Sequence, residues 1–226
     1  LTANATIGGT LALPEFNGRI ELTRGEFDSY RVNLAMRELS VVADLANTGL
    51  SFRGQGRAGD GQLAADGHLA WRGGTSKGEL NIRGQNLLVA DLPEYRVVAS
   101  PDLHFLVDGK RMNVAGDVKI PSARVQPAKL TGAVKLSDDA RYVGEHPAER
   151  AGLFVVHSEV RIDMGDDVRV DAFALKGGTA GGVGTTTTTG ETPIGRGELS
   201  VDEGRYEAFG QKLEINRGRL LFDASP

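Results

Sequence analysis

Residues 78–84 read GELNIRG. In an extended chain Leu80, Ile82 and Gly84 fall on one side, and Glu79, Asn81 and Arg83 on the other, because successive strand side chains point to opposite faces. The pattern returns in RMNVAGDVKI, residues 111–120, where Met112, Val114, Gly116, Val118 and Ile120 oppose Arg111, Asn113, Ala115, Asp117 and Lys119. A period of two is the mark of a strand with one face covered and one face wet. The question is what covers the apolar face.

Working outward, the same alternation fills most of the chain. Leu63, Leu69 and Trp71 share a side with Ala65 and Gly67, against Gln62, Asp66, His68 and Arg72. Leu103, Phe105 and Val107 form a further set, and Leu130, Val134 and Leu136 another, with Gly132 among them. Residues 153–164, LFVVHSEVRIDM, place Val160, Ile162 and Met164 with Phe154 and Val156, against His157, Glu159, Arg161 and Asp163. Near the end Leu199 and Val201 alternate with Glu198, Ser200 and Asp202, and Leu213 and Ile215 with Lys212, Glu214 and Asn216. Turn signals separate these runs at Gly59-Asp60-Gly61, Gly73-Gly74, Asp108-Gly109, Glu203-Gly204 and Arg217-Gly218. Such spacing suits antiparallel hairpins rather than strand–helix–strand units. Glycines inside the strands, Gly84, Gly116, Gly132 and Gly197, lie on the apolar side and point to a sharply curved sheet.

Three segments are less regular. Residues 34–50 fit helical spacing through Leu39, Val42, Leu45 and Ala46, and strand spacing through Leu39, Val41, Ala43 and Leu45; the adjacent Val41 and Val42 favour strand. Residues 138–152 read as a polar loop. Residues 177–193, GGTAGGVGTTTTTGETP, carry no alternation, so partial disorder is the expectation, with a Thr-lined edge strand as the other reading.

Composition narrows the function classes. Of 226 residues, 40% are hydrophobic and 25% charged, which suits a folded soluble chain. The formal charge of −4 is spread through the sequence, which argues against nucleic acid and against a polybasic lipid-binding arm. With no cysteine, disulfides, thiolate zinc sites and a cysteine nucleophile are excluded. No apolar run approaches the ~20 residues of a membrane-spanning helix. The chain opens on Leu1 without a signal peptide, as a piece of a longer protein would.

Candidate reactive sites fail on their chemistry. KGGTAGGVGTTTT, residues 176–188, has the glycines of a phosphate loop but places Thr185 after Gly184 where a lysine is needed. His68, His104, His146 and His157 form no i, i+4 pair, so they read as solvated or hydrogen-bonded rather than metal-binding. Asp138-Asp139 and Asp166-Asp167 lack the alternate spacing of a calcium loop. Trp71 and Phe105 sit on the apolar side, as lining rather than as sugar platforms. No catalytic constellation, cofactor or metal is expected.

The apolar face therefore carries the information. About 15 strands of ~7 residues in one sheet would expose some two dozen large apolar side chains, each contributing ~1.5–3 kcal/mol when buried. Without helices the sheet must fold over itself. The outcome is either a dry sandwich or a long curled antiparallel sheet with an open apolar interior, and alternation alone fits both.

Several passages resemble the C-terminal region of the TamB family, AsmA-like proteins of Gram-negative envelopes. They are FRGQGRAGDGQLAADGHLAW (52–71), SPDLHF with MNVAGDVKIPSARVQP (100–105 and 112–127), and GRGELSVDEGRYEAFGQKLEINRGRLLFDASP (195–226). The last follows the pattern G-x-Y-x-x-[YF]-G-Q-x-L-x-I-x-x-G-x-L-x-F through Gly204, Tyr206, Phe209-Gly210-Gln211, Leu213, Ile215, Gly218, Leu220 and Phe222. The resemblance implies a U-shaped "β-taco" with an apolar trough, in a periplasmic protein anchored upstream in the inner membrane. It implies the outer-membrane barrel TamA as partner, and roles in assembling outer-membrane proteins and passing phospholipid between the membranes. The chain departs from the family pattern at residues 177–190, and its end at Pro226 leaves out the segment expected to meet TamA. Three functions follow as expectations: a conduit for acyl chains, a scaffold pairing with nascent outer-membrane strands, and, without family support, a carbohydrate-active solenoid. Uneven strand spacing disfavours the last. For the conduit, the large apolar residues of the alternating sets from Leu63 to Ile215, without Phe154 and Val156, are the expected trough lining.

Overall fold

Residues 1–10, 13–72, 75–126, 154–172, 175–189, 194–208 and 211–224 are described by the computed structural model. Among them thirteen strands form one sheet and no helix occurs. In chain order they are β1 (Thr2–Thr10), β2 (Leu13–Ser29), β3 (Leu34–Ala46), β4 (Gly49–Ala58), β5 (Gly61–Arg72), β6 (Thr75–Gln85), β7 (Leu87–Asp91), β8 (Tyr95–Asp108), β9 (Arg111–Val125), β10 (Val155–Ala172), β11 (Leu175–Thr188), β12 (Ile194–Ala208) and β13 (Gln211–Asp223). Each pairs with the next along the chain, except that β8 takes both β6 and β7 on one side. The strands are fewer and longer than the expected set, running from 5 to 18 residues. Interior glycines are spanned by continuous pairing, as at Gly67 opposite Leu80.

GELNIRG behaves as its alternation dictates. Leu80 and Ile82 lie opposite Phe105 and Leu103 of β8. On the other side Asn81 donates from Nδ2 to Asp66 Oδ2 (3.1 Å), its Oδ1 meets His104 Nδ1 (2.7 Å), and Arg83 sits between Asp66 (3.7 Å) and Asp102 (3.5 Å). Residues 34–46 form β3, in line with strand spacing, with Val41 opposite Gly54 and Ala43 opposite Phe52.

Two features differ from the antiparallel meander. β10 runs parallel to β9, from Val155 opposite Arg111 to Val170 opposite Val125. Parallel neighbours need a long crossover rather than a hairpin, and residues 126–154 separate them. The polar-loop expectation for 138–152, with Leu130, Gly132, Val134, Leu136 and His146, lies outside the described residues. The second is a correction. Of residues 177–193, expected to be partly disordered with a Thr-lined edge strand as the other reading, residues 177–188 lie in the interior strand β11, paired to β10 through Val183 and Ile162 and to β12 through Val183 and Gly197. Backbone bonding on both sides holds this strand without large side chains, and its threonines are β-branched. Thr185 donates its hydroxyl to the Val160 carbonyl (3.1 Å), and Thr179 is buried.

The sheet bends along a line. Register shifts fall at Leu22/Gly25 and Gly25/Phe27 of β2, Arg37/Ser40 of β3, Val98/Ser100 of β8, Met164/Asp167 of β10 and Lys176/Gly178 of β11. Bulges of this kind bend a strand and increase its twist. Two lie beside prolines, which cannot donate to the ladder. At Pro101 the β6–β8 pairing stops after Arg83–Asp102, and the chain leaves through Asn86 at φ 49. Pro121 adjoins the β9–β10 shift, close to Gly165. Beyond the first break β7 lies across the ends of β3, β4 and β5, and the Asp91 N–H reaches the Val32 carbonyl (3.0 Å) in the β2–β3 turn. A strand bonded to β8 meets that turn only because the sheet curls.

Candidate functional site

Register carries the apolar residues into rows that cross the sheet. One row runs Leu45, Leu50, Leu69, Gly78, Val107, Met112, Val156 from β3 to β10. The next runs Ala43, Phe52, Gly67, Leu80, Phe105, Val114, Ser158, Thr187. A third runs Val41, Gly54, Ala65, Ile82, Leu103, Gly116, Val160, Thr185. At the bend Leu63 stands opposite Gly84, while Pro101, Val118, Ile162, Val183, Gly197 and Phe222 continue the row beyond the break. Below it come Ile120, Met164, Gly181, Leu199 and Leu220.

Most of the sequence-expected lining residues therefore share one face. Trp71 stands at its rim, opposite Ser76, with its indole N–H donated to the Asn47 carbonyl (2.9 Å). Val201 and Ile215 meet over Gly218, where an added Cβ would lie 3.5 Å from Val201 Cβ and 3.2 Å from Ile215 Cγ2. Leu213 is the exception: it is 58% exposed on β13, the edge strand, opposite Tyr206. The sequence-based lining omitted Leu50, Phe52, Val156, Leu220 and Phe222. Leu50 and Phe52 do alternate with polar neighbours, but Gly54 and Gly56 complete their side and dilute the signal.

The face is open. Leu80, Ile82, Leu103, Phe105, Val114 and Val118 are all partly exposed, and among the described residues no large side chain is fully buried. A second layer zipped onto the sheet would dry its centre, since packed interiors leave few voids. Outside the hydrogen-bonded order, the main strand contacts are those of β7 with β3, β4 and β5. Two hydroxyls that interrupt the apolar face are tied to backbone: Thr185 to the Val160 carbonyl and Ser158 to the Thr187 carbonyl (3.5 Å). At Gly116 and Gly197, φ is 139 and 149, and a Cβ would run into the Asp102 and Gly182 carbonyl oxygens of the neighbouring strands. Only glycine permits so close an approach of backbones on this face.

The opposite face is charged and holds the larger concavity, a cleft of about 1230 Å³ at the bend. Arg57, Arg83, Lys119 and Arg161 line it together with Glu38, Asp102, Asp117 and Asp163, so cations and carboxylates balance. Of the expected lining residues only Leu63 borders it. Among the described residues no cluster of His, Cys, Asp and Glu could hold a metal ion. His68, His104 and His157 each have a polar partner, namely Glu79, Asn81 and Thr188.

A curled single-layer sheet, charged on one face and lined with partly exposed aliphatic side chains on the other, defines a class of protein that presents an apolar face. Within that class, a profile of the TamB C-terminal domain matches residues 51–226, and the chain belongs to the TamB family. It is 25% identical over 248 aligned positions to the translocation and assembly module subunit TamB of Haemophilus influenzae. That alignment covers 98% of this chain but 19% of the relative's length. No solved structure matches.

Proposed function

We propose that the apolar face is one stretch of a conduit that shelters phospholipid acyl chains from water between the inner and outer membranes, within a translocation and assembly module. The observation that carries this reading is the set of apolar rows that run partly exposed from β3 to β9. Each CH₂ laid against such a surface gains ~0.8 kcal/mol, so an acyl chain is held without any specific polar contact. Rows that continue from strand to strand give a guest a path across the sheet with no charged step. The relative's name supports membership of such a module. In this reading the whole protein lies in the periplasm, anchored in the inner membrane, and works with the outer-membrane barrel TamA.

A second reading has its own observation. β13 stands last in the strand order of the described residues, and its Leu213, Leu220, Leu221 and Phe222 are exposed. Such an edge can accept an extended strand by backbone pairing, as a scaffold for nascent outer-membrane proteins requires. Photo-crosslinking amino acids at Ile82, Phe105 and Leu221, with Arg83 and His104 as outer-face controls, separate the two in the full-length protein in cells. Phospholipid adducts at Ile82 and Phe105 but not at the controls support the conduit. Polypeptide adducts at Leu221 with no lipid at Ile82 would replace it with the scaffold.

A further inference from the structure

The short strand β7 occupies a seat made for it. A Cβ on Gly59 would lie 2.9 Å from Leu88 Cβ, one on Gly84 would run into Leu87 Cδ1, and one on Gly61 into the Asn86 carbonyl. Ala58, Leu87, Ala90 and Ala99 are buried, 2–7% exposed, whereas most of the apolar face is open. The near end of β7 begins at Asn86, whose N–H turns to Ser100 Oγ (2.9 Å) where Pro101 interrupts the ladder. At the far end Asp91 donates its N–H to the Val32 carbonyl (3.0 Å) and accepts from Asn33 Nδ2 at its own carbonyl (2.8 Å). At ~3.3 Å per residue β7 spans ~16 Å, enough to cross the ends of three strands spaced ~4.8 Å apart.

The two sides of β7 are attached unequally. Toward β8 it has a strand ladder, with a shift between Leu88 and Ala90. Toward β3, β4 and β5 it has side-chain packing and the two bonds at Asp91. We infer that β7 is a clasp: seated, it ties β8 to the β2–β3 turn and holds the bend closed; released from that turn while still paired to β8, it opens the apolar face of β3–β5 at this end to an incoming chain. The regulatory part of this inference rests on the proposed acyl-chain function, and the clasp motion itself does not.

Residues 1–226 hold no cysteine, so within them a Gly59→Cys/Leu88→Cys pair gives a single possible disulfide across the seat. Their Cβ atoms need to part by under ~1 Å to reach bridging geometry. Gly59 stands at φ 59, so the reduced pair itself loosens the seat; in the intact protein it should take up the fluorescent fatty acid cis-parinaric acid at least as fast as the wild type, and the oxidised pair about tenfold more slowly than the reduced pair or worse, because uptake scales with the open fraction. Leu87→Ala, which weakens the seat, should speed uptake. Hydrogen exchange of the Leu88–Asp91 amides should be faster than that of Leu103–Val107 and should slow on oxidation. Equal uptake and equal β7 exchange in the two redox states would overturn the clasp. If even the reduced protein takes up no probe, the acyl-chain reading fails and exchange alone decides: β7 opening ahead of β8 supports the clasp, and the two opening together overturns it.

Discussion

Ile82→Asp distinguishes an open apolar face from a closed core. Ile82 stands on β6 between Ala65 and Leu103, partly exposed. In a dry interior an unpaired carboxylate at this position would cost about 3–5 kcal/mol, on top of ~2 kcal/mol for the lost side chain. On an open face the carboxylate keeps its water, and only the partial burial of isoleucine is lost, about 1–2 kcal/mol. An acyl chain lying over the position would have to dehydrate the charge. A loss of ~3 kcal/mol from that cause lowers affinity by roughly a hundredfold. Urea unfolding should therefore show a change below ~2 kcal/mol, while titration with cis-parinaric acid shows binding reduced by about a hundredfold or more. Arg83→Asp, one residue along on the charged face, should leave acyl binding unchanged. A stability loss of ~4 kcal/mol or more, or unaltered binding to a folded Ile82→Asp protein, would refute the reasoning.

Gly116→Val places a branched side chain at φ 139 and against the Asp102 carbonyl; a loss of ~3 kcal/mol or more is expected in urea unfolding. Gly109→Asn, at φ 62 in the β8–β9 turn, should cost less than ~1 kcal/mol by the same measurement, because asparagine tolerates the left-handed region. Thr185→Val removes one hydroxyl bonded to the Val160 carbonyl and should change stability by no more than ~1.5 kcal/mol, with acyl affinity equal or higher. Leu221→Lys alters a residue 71% exposed on the edge strand; stability should stay within ~0.5 kcal/mol, while sedimentation shows less self-association.

The alternation in GELNIRG and RMNVAGDVKI was enough to place Leu80, Ile82, Val114 and Val118 on one face, because the face follows from period two alone. The parallel β9–β10 pair was not legible, since direction depends on the connection between strands and not on the strands' own pattern. β11 was misread because glycine and threonine give no apolar contrast, and its order comes from partners on both sides that local sequence does not name. The bend had a signal that went unused: Pro101 and Pro121 stand inside alternating runs, where a missing N–H interrupts the ladder. β7 was not legible as a separate element, because only Asn86 stands between it and β6 and no Gly or Pro marks the break.

In the conduit reading the apolar face is left vacant for a guest. A nitroxide at Phe105→Cys, placed in the row between Leu80 and Val114, reports on it through collision with a water-soluble paramagnetic nickel complex. The guest-free protein should show free collision with the complex, and saturation with fatty acid should abolish it while oxygen still reaches the label. A label already shielded from the complex before any fatty acid is added, and unchanged afterwards, would mean that the protein fills this space with its own atoms.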